Sequence, residues 1–141
     1  DGDIKKHTGA YKCDCKDAFF QFQSENLNCR LDGEFVNFGE KLYLMPYPLD
    51  IDKIKVQTAG LFLGECKKGR FEPSHSLCLA LSKDDFKHIL VTESIDKYYR
   101  GETLPSQEKG WTAVIYDGIP VGWGKASGGV LKNHFPKFLR F

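Results

Sequence analysis

Apolar positions along this chain fall into short clusters parted by glycine, proline and charge. The run DAFFQFQSENL, Asp17 to Leu27, sets Phe20, Gln23 and Leu27 on one helical stripe with Phe19 and Phe22 flanking it, and predicts a helix with an acidic first turn. Gly33 ends that period. EFVNFG and KLYLMP, separated by Gly39-Glu40 and closed by Pro46 and Pro48, predict a hairpin. The stretch KIKVQTAG alternates Ile54, Val56 and Thr58 ahead of Gly60, the pattern of a half-buried strand ending in a turn or bulge, and LFLG follows as a second short strand.

Beyond Gly64, ECKKGRFEPSH has the polarity of a loop. Ser74 is placed to cap a helix through Leu77, Cys78, Ala80 and Leu81. Ser82 with Asp84 and Asp85 predicts another short helix carrying Phe86, Ile89 and Leu90, with Lys87 and His88 near its end, where positive charge suits the dipole. The strongest local signal is WTAVIY, Asp117-Gly118, IPVGWG. An Asp-Gly pair between two such runs predicts a tight hairpin, because both turn positions need positive φ. Gly122, Gly124, Gly128 and Gly129 mark bends or close approaches, and the loop Ala126 to Gly129 is expected to be adaptable. Short strands at these intervals, with helices between, predict an α+β fold containing a small mixed β-barrel.

A chain of 141 residues has room for one full core or two small modules, and one compact unit is expected. With 41% hydrophobic and 28% charged residues, wholesale disorder is excluded. No apolar run approaches the roughly 20 residues that span a bilayer, and the polar start DGDIKKHTGAYKCDCKD does not resemble a secretory leader. The five cysteines, Cys13, Cys15, Cys29, Cys66 and Cys78, are odd in number and irregular in spacing, so a reduced, cytoplasmic setting is expected. Cys13-x-Cys15 has only His7 nearby, so no metal site is expected. Residues 1–15 read as a linker or disordered end, and the absence of a first Met suggests that something was removed or that the chain is a piece of a longer protein.

Charge changes the picture more than composition does. The net charge is +1, but the last 21 residues, VGWGKASGGVLKNHFPKFLRF, hold Lys125, Lys132, Lys137 and Arg140 with no acid. The remaining residues therefore set sixteen cations against nineteen acids, a net −3. That polarisation, unlike the overall charge, bears on attraction to a polyanion.

Several catalytic chemistries lack their residues. No glycine pair precedes an apolar helix, so neither a nucleotide nor a methyl-donor site is expected, and a P-loop is absent. His7, His75, His88 and His134 are scattered without the spacing of a catalytic zinc site. His75 and Cys78 lie three apart, the spacing that sets a base and a nucleophile on one face of a helix, but Cys78 sits in the apolar run LCLAL and reads as core. Glu65 and Glu72 alternate with Lys67, Lys68 and Arg70, a pattern of mutual neutralisation rather than of paired catalytic carboxylates. No catalytic residue is assigned.

Two segments join cations to aromatics and glycines: KKGRFEPSH at Lys67 to His75, and the acid-free terminus. Lysine and arginine neutralise phosphate, aromatic faces stack unpaired bases, and glycine lets a nucleic-acid backbone approach. Candidate phosphate contacts are Lys67, Lys68, Arg70, Lys125, Lys132, Lys137 and Arg140. Asn133 and His134 are candidates for sugar or base edges, and Trp123 or Phe135 for stacking platforms. A tryptophan in an apolar strand is more often core than platform.

KKGRFEPSHSLCLAL, RGETL at Arg100 to Leu104, and GIPVGWGKASGGVLKNHFPKFLR, in that order, resemble the C-terminal region of bacterial Sun/RsmF-type 16S rRNA cytosine-C5 methyltransferases, over roughly Leu42 to Arg140. The resemblance implies a small intermediate α+β module at residues 16–60 and a PUA-like RNA-binding domain at residues 61–141. It also implies that S-adenosylmethionine and the nucleophile belong to an N-terminal domain outside this chain, leaving no cofactor here. The implied partners are 16S rRNA or the small ribosomal subunit, together with that N-terminal methyltransferase domain, and no membrane. Phe135 stands where the family usually has Tyr, and Phe138 where it usually has Gly. A competing expectation is a docking module whose cations meet acidic protein surface instead of phosphate.

Overall fold

A computed structural model describes residues 16–31, 33–45 and 60–140. The expected strand over Lys53 to Thr58, the Cys13-x-Cys15 pair and the linker at residues 1–15 lie outside the described residues. Contacts divide the chain into two compact units. One contains the described residues up to Ser24 and those within Arg30–Leu77, and the other contains Glu25–Cys29 and the described residues from Cys78.

In the first unit, helix α1 (residues 16–26) buries Phe19, Phe22 and Gln23, while Phe20 remains 38% exposed. The buried stripe therefore runs through Phe19 and Phe22, rotated from the expected Phe20 register. Phe19 meets the Phe35 ring at 5.6 Å and the Phe71 ring edge-on at 5.2 Å, so two strands set which face turns inward. Strands β1 (Glu34–Phe38), β2 (Lys41–Met45), β3 (Leu61–Lys67) and β4 (Arg70–Pro73) form an antiparallel sheet in that order. The Gly39-Glu40 hairpin forms as its sequence predicts, with Gly39 at φ 63°.

ECKKGRFEP is not a loop. Lys68 and Gly69, both at positive φ (51° and 78°), make a two-residue turn that pairs Lys67 with Arg70. Strand β3 also pairs with β2 on its other side, so β1 to β4 share one sheet.

The second unit is built on a five-stranded sheet in the order β5-β7-β8-β9-β6, curled as a half-barrel. Its strands are β5 (Ile89–Val91), β6 (Leu104–Pro105), β7 (Gly110–Tyr116), β8 (Ile119–Ser127) and β9 (Val130–Asn133). Helices α2 (His75–Ala80) and α3 (Ile95–Tyr99) are short, and the mixed α+β class follows. Leu77 N–H donates to Ser74 Oγ at 3.0 Å, the cap expected for α2.

The helix expected from Ser82 stops after a single 3-10 turn, Lys83–Asp85. Ser82 N–H donates to the Asp85 carboxylate at 2.9 Å, and Phe86 is already extended. Ile89–Val91 then pairs parallel to Ala113–Ile115, so Lys87 and His88 lie on a strand approach, with no helix end for them to compensate. Apolar residues that alternate weakly near a sheet gain more from strand pairing than from one further turn of helix.

Asp117 (φ 55°) and Gly118 (φ 77°) turn β7 into β8 as predicted. One residue is extra in β8: Ile115 opposes Pro120, but Val114 opposes Gly122. This bulge shifts everything beyond it by one position, which reverses the faces. The inner face packs Val114, Ala126 and Leu131 against Tyr98, Leu104 and Phe135.

Candidate nucleic-acid interface

The bulge decides which side chains share the outer face. Beyond it, Trp111 of β7 lies opposite Lys125 of β8, and Lys125 lies opposite Lys132 of β9. Directly opposed residues project to the same side, with Cβ atoms about 5 Å apart. Both lysines are exposed and Trp111 is partly buried. Lys125 Nζ sits 5.1 Å from the Trp111 ring centroid. The His134 ring meets the same indole edge-on at 4.7 Å, and Trp123, its diagonal neighbour on β8, meets it edge-on at 6.1 Å.

The row thus combines one aromatic face with two cations. Neither lysine has an ion-pair partner among the described residues. Glu108 is already engaged by His88 Nδ1 at 3.1 Å. Like charges directly opposed across a ladder destabilise it by a few tenths of a kcal/mol, a cost that a bound anion removes.

The other expected contacts separate into those that reach solvent and those that do not. Trp123 is 2% exposed and Phe135 8%, so neither is a stacking platform. Trp123 is covered by the Phe86 ring at 5.4 Å, and Phe135 packs against Tyr98 and Tyr99 at 5.3 and 5.0 Å. Asn133 is likewise withdrawn from base reading. Its Nδ2 donates to the carbonyls of Tyr98 and Glu102, both at 2.9 Å, and its Oδ1 accepts from Phe135 N–H at 2.8 Å. Both amide protons and one lone pair of the oxygen therefore go into fixing the approach to the last turn.

Arg140 Nε donates to the Phe135 carbonyl at 3.1 Å, which orients its guanidinium. Lys137 is exposed on the final 3-10 turn, and Phe138 beside it is 87% exposed. The loop expected over Ala126 to Gly129 reduces to a two-residue hairpin turn. Ala126 is buried opposite Leu131, and only Gly128 (φ 62°) and Gly129 (φ 88°) form the bend.

On the first unit, Lys67 Nζ lies 3.4 Å from Glu65 and 3.6 Å from Glu72. Hydrogen bonding to Glu65 and the charge of Glu72 hold its pKa above the usual lysine value. Lys41, Glu65 and Glu72 form one cross-strand row, beside a shallow cavity of about 220 Å³. This hairpin is locally neutralised except at its tip, where Lys68 and Arg70 are exposed. Sequence reasoning missed Trp111, whose signal was its place at the head of WTAVIY.

The His75 and Cys78 pair has no nucleophile to offer. Cys78 is fully buried, and burial pushes its thiol up to about 12; burial also lowers the His75 pKa. Because the unfolded thiol ionises near 9.0 while the folded one holds its proton, the unfolded state binds fewer protons above pH 9. Stability is therefore expected to be intact below pH 9 and to fall as pH rises from about 9 to about 12. The buried Tyr98 phenol, also shifted upward, adds to the fall. Urea midpoints across that range check the trend, and native Cys78 should resist thiol labelling until the protein unfolds.

A curled five-stranded half-barrel with short helices and an outward cationic row defines a PUA-like domain. Residues 86–141 match the family model described as the methyltransferase RsmF PUA domain, and residues 21–81 match the RsmF rRNA methyltransferase first C-terminal domain. The chain belongs to the RsmF-type rRNA methyltransferase family and corresponds to its C-terminal region. It is 27% identical over 107 residues to ribosomal RNA small subunit methyltransferase F of Enterobacter sp. (strain 638), covering 71% of this chain and 22% of that protein. The same-named protein of Shewanella oneidensis is 27% identical over 124 residues, covering 82% of this chain and 26% of that protein. The chain thus spans about a quarter of the length of the curated relatives it matches.

Proposed function

We propose that this chain is the RNA-binding C-terminal region of an S-adenosylmethionine-dependent rRNA cytosine-C5 methyltransferase, and that it holds small-subunit rRNA so that a target cytosine reaches a catalytic domain elsewhere in the protein. The observation that carries this reading is the Lys125 and Lys132 pair, opposed in register, exposed and without a carboxylate partner among the described residues. Lys137 lies on the same acid-free terminus, and Lys68 and Arg70 form a second exposed cationic spot on the first unit. Phosphate neutralisation by such cations supplies sequence-independent affinity.

The glycine pair of the described residues does not fit S-adenosylmethionine. Among the described residues Gly128-Gly129 joins two strands instead of leading into a helix, so no glycine-rich phosphate- or nucleoside-binding turn is formed by it. The methyl donor belongs to the proposed catalytic domain. That domain and 16S rRNA, free or within the small subunit, are the proposed partners, and the proposed setting is the cytoplasm. Among the described residues no helix is long and apolar enough to cross a membrane.

Changing Lys125 and Lys132 together to Glu is expected to weaken binding to a labelled small-subunit rRNA fragment by about tenfold or more at low salt, with the fold intact. Fluorescence anisotropy reads the loss. Unchanged RNA affinity, with lost binding to the catalytic domain instead, establishes the docking function and removes the RNA one.

A further inference from the structure

The row of Trp111, Lys125 and Lys132 has a chemistry that phosphate neutralisation alone leaves unused. The Trp111 indole is held by two edge-on neighbours, His134 at 4.7 Å and Trp123 at 6.1 Å, so its orientation is fixed. What lies over its ring is Lys125 Nζ, 5.1 Å from the centroid, an exposed ammonium on a flexible stem. Lys132 stands beside it on the next strand.

We propose that this row is a site for a single unpaired nucleotide of the bound RNA. The base stacks on the Trp111 ring in place of the Lys125 ammonium, which moves onto a phosphate, while Lys132 holds a neighbouring phosphate. The inference rests on the RNA-binding reading above and adds to it which form of RNA this face takes.

Three arguments converge on this assignment. An exposed cation–π contact is weaker than base–indole stacking, so the exchange runs toward the nucleotide. The displaced lysine loses nothing, because a phosphate is a better partner for it than a ring. The repulsion between two opposed lysines, uncompensated among the described residues, is relieved when an anion sits between them. A duplex cannot use the site in this way. Its base faces are stacked on one another, and A-form RNA offers mainly phosphates and 2′-hydroxyls.

The test uses the whole chain, a short labelled single-stranded oligoribonucleotide and an RNA duplex of equal length. Both tryptophans of the sequence lie in the second unit, and Trp123 is buried, so quenching on binding reports chiefly Trp111. The single strand is expected to quench the emission and the duplex to leave it unchanged. Trp111→Ala is expected to weaken the single strand about tenfold and the duplex hardly at all. Trp111→Phe should keep most of the affinity and lose the quench. If the single strand binds without quenching, or Trp111→Ala affects both RNAs alike or neither, the nucleotide site is overturned while RNA binding stands. If the unaltered chain binds neither RNA, the RNA-binding reading fails, and this assignment with it. The quench needs no variant, so a Trp111→Ala protein that fails to fold leaves the test decisive.

Discussion

Gly122→Ala is expected to destabilise the second unit by about 3 kcal/mol. Gly122 lies opposite Val114 on the inner face, where an added Cβ would enter the Tyr98 hydroxyl. Tyr98 has nowhere to retreat. It is fully buried, its hydroxyl donates to the Trp123 carbonyl at 2.8 Å, and Phe135 and Tyr99 flank its ring. The methyl must therefore force the strand outward or break that hydrogen bond, and the cost combines overpacking with a buried polar group left unpaired. For a unit of this size, 3 kcal/mol corresponds to a fall in Tm on the order of 15 °C. Adding Tyr98→Phe removes the oxygen that collides, so the double variant should be more stable than the two single losses predict, with a clear coupling energy. Thermal unfolding followed by tryptophan fluorescence reads this unit alone.

Trp123→Ala is expected to cost about 3–5 kcal/mol, the usual range for emptying a buried tryptophan site. Phe86 and Trp111 both rest on this indole, at 5.4 and 6.1 Å. Its removal leaves a void between the extended Phe86 segment and β8 and withdraws the support of Trp111. The same fluorescence melt, or urea unfolding followed by circular dichroism, measures the loss. A Trp123→Ala protein that melts like the parent but has lost RNA affinity would make Trp123 a surface platform and contradict its placement here.

Those two residues also show how far the sequence could be read. Asp117-Gly118 and Gly39-Glu40 announce their hairpins because positive φ restricts the residue types locally. The bulge near Val121 has no such signature. Counting outward from Asp117-Gly118 in regular pairing sets Trp111 against Gly124, whereas the observed shift sets it against Lys125. One inserted residue thus brings Trp111 onto the face of Trp123, Lys125 and Lys132, where the Phe86 ring covers Trp123. The acid-free terminus was plain from charge alone, but Asn133 was misread as a base-reading side chain, because its three backbone partners lie up to 35 residues away in sequence. The helix from Ser82 failed for a related reason: its continuation depended on β7 being available as a parallel partner. Local chemistry fixes turns and caps, while register and long-range polar contacts depend on how distant segments meet.

The most direct test of the central claim is the affinity of the unaltered chain for a small-subunit rRNA fragment, measured by anisotropy across a salt series. Lys125, Lys132 and Lys137, if each meets a phosphate, predict a straight line of log K against log salt with a slope of about −2, from roughly −0.7 per contact on single-stranded RNA. A flat line, or no binding even at low salt, would contradict the account.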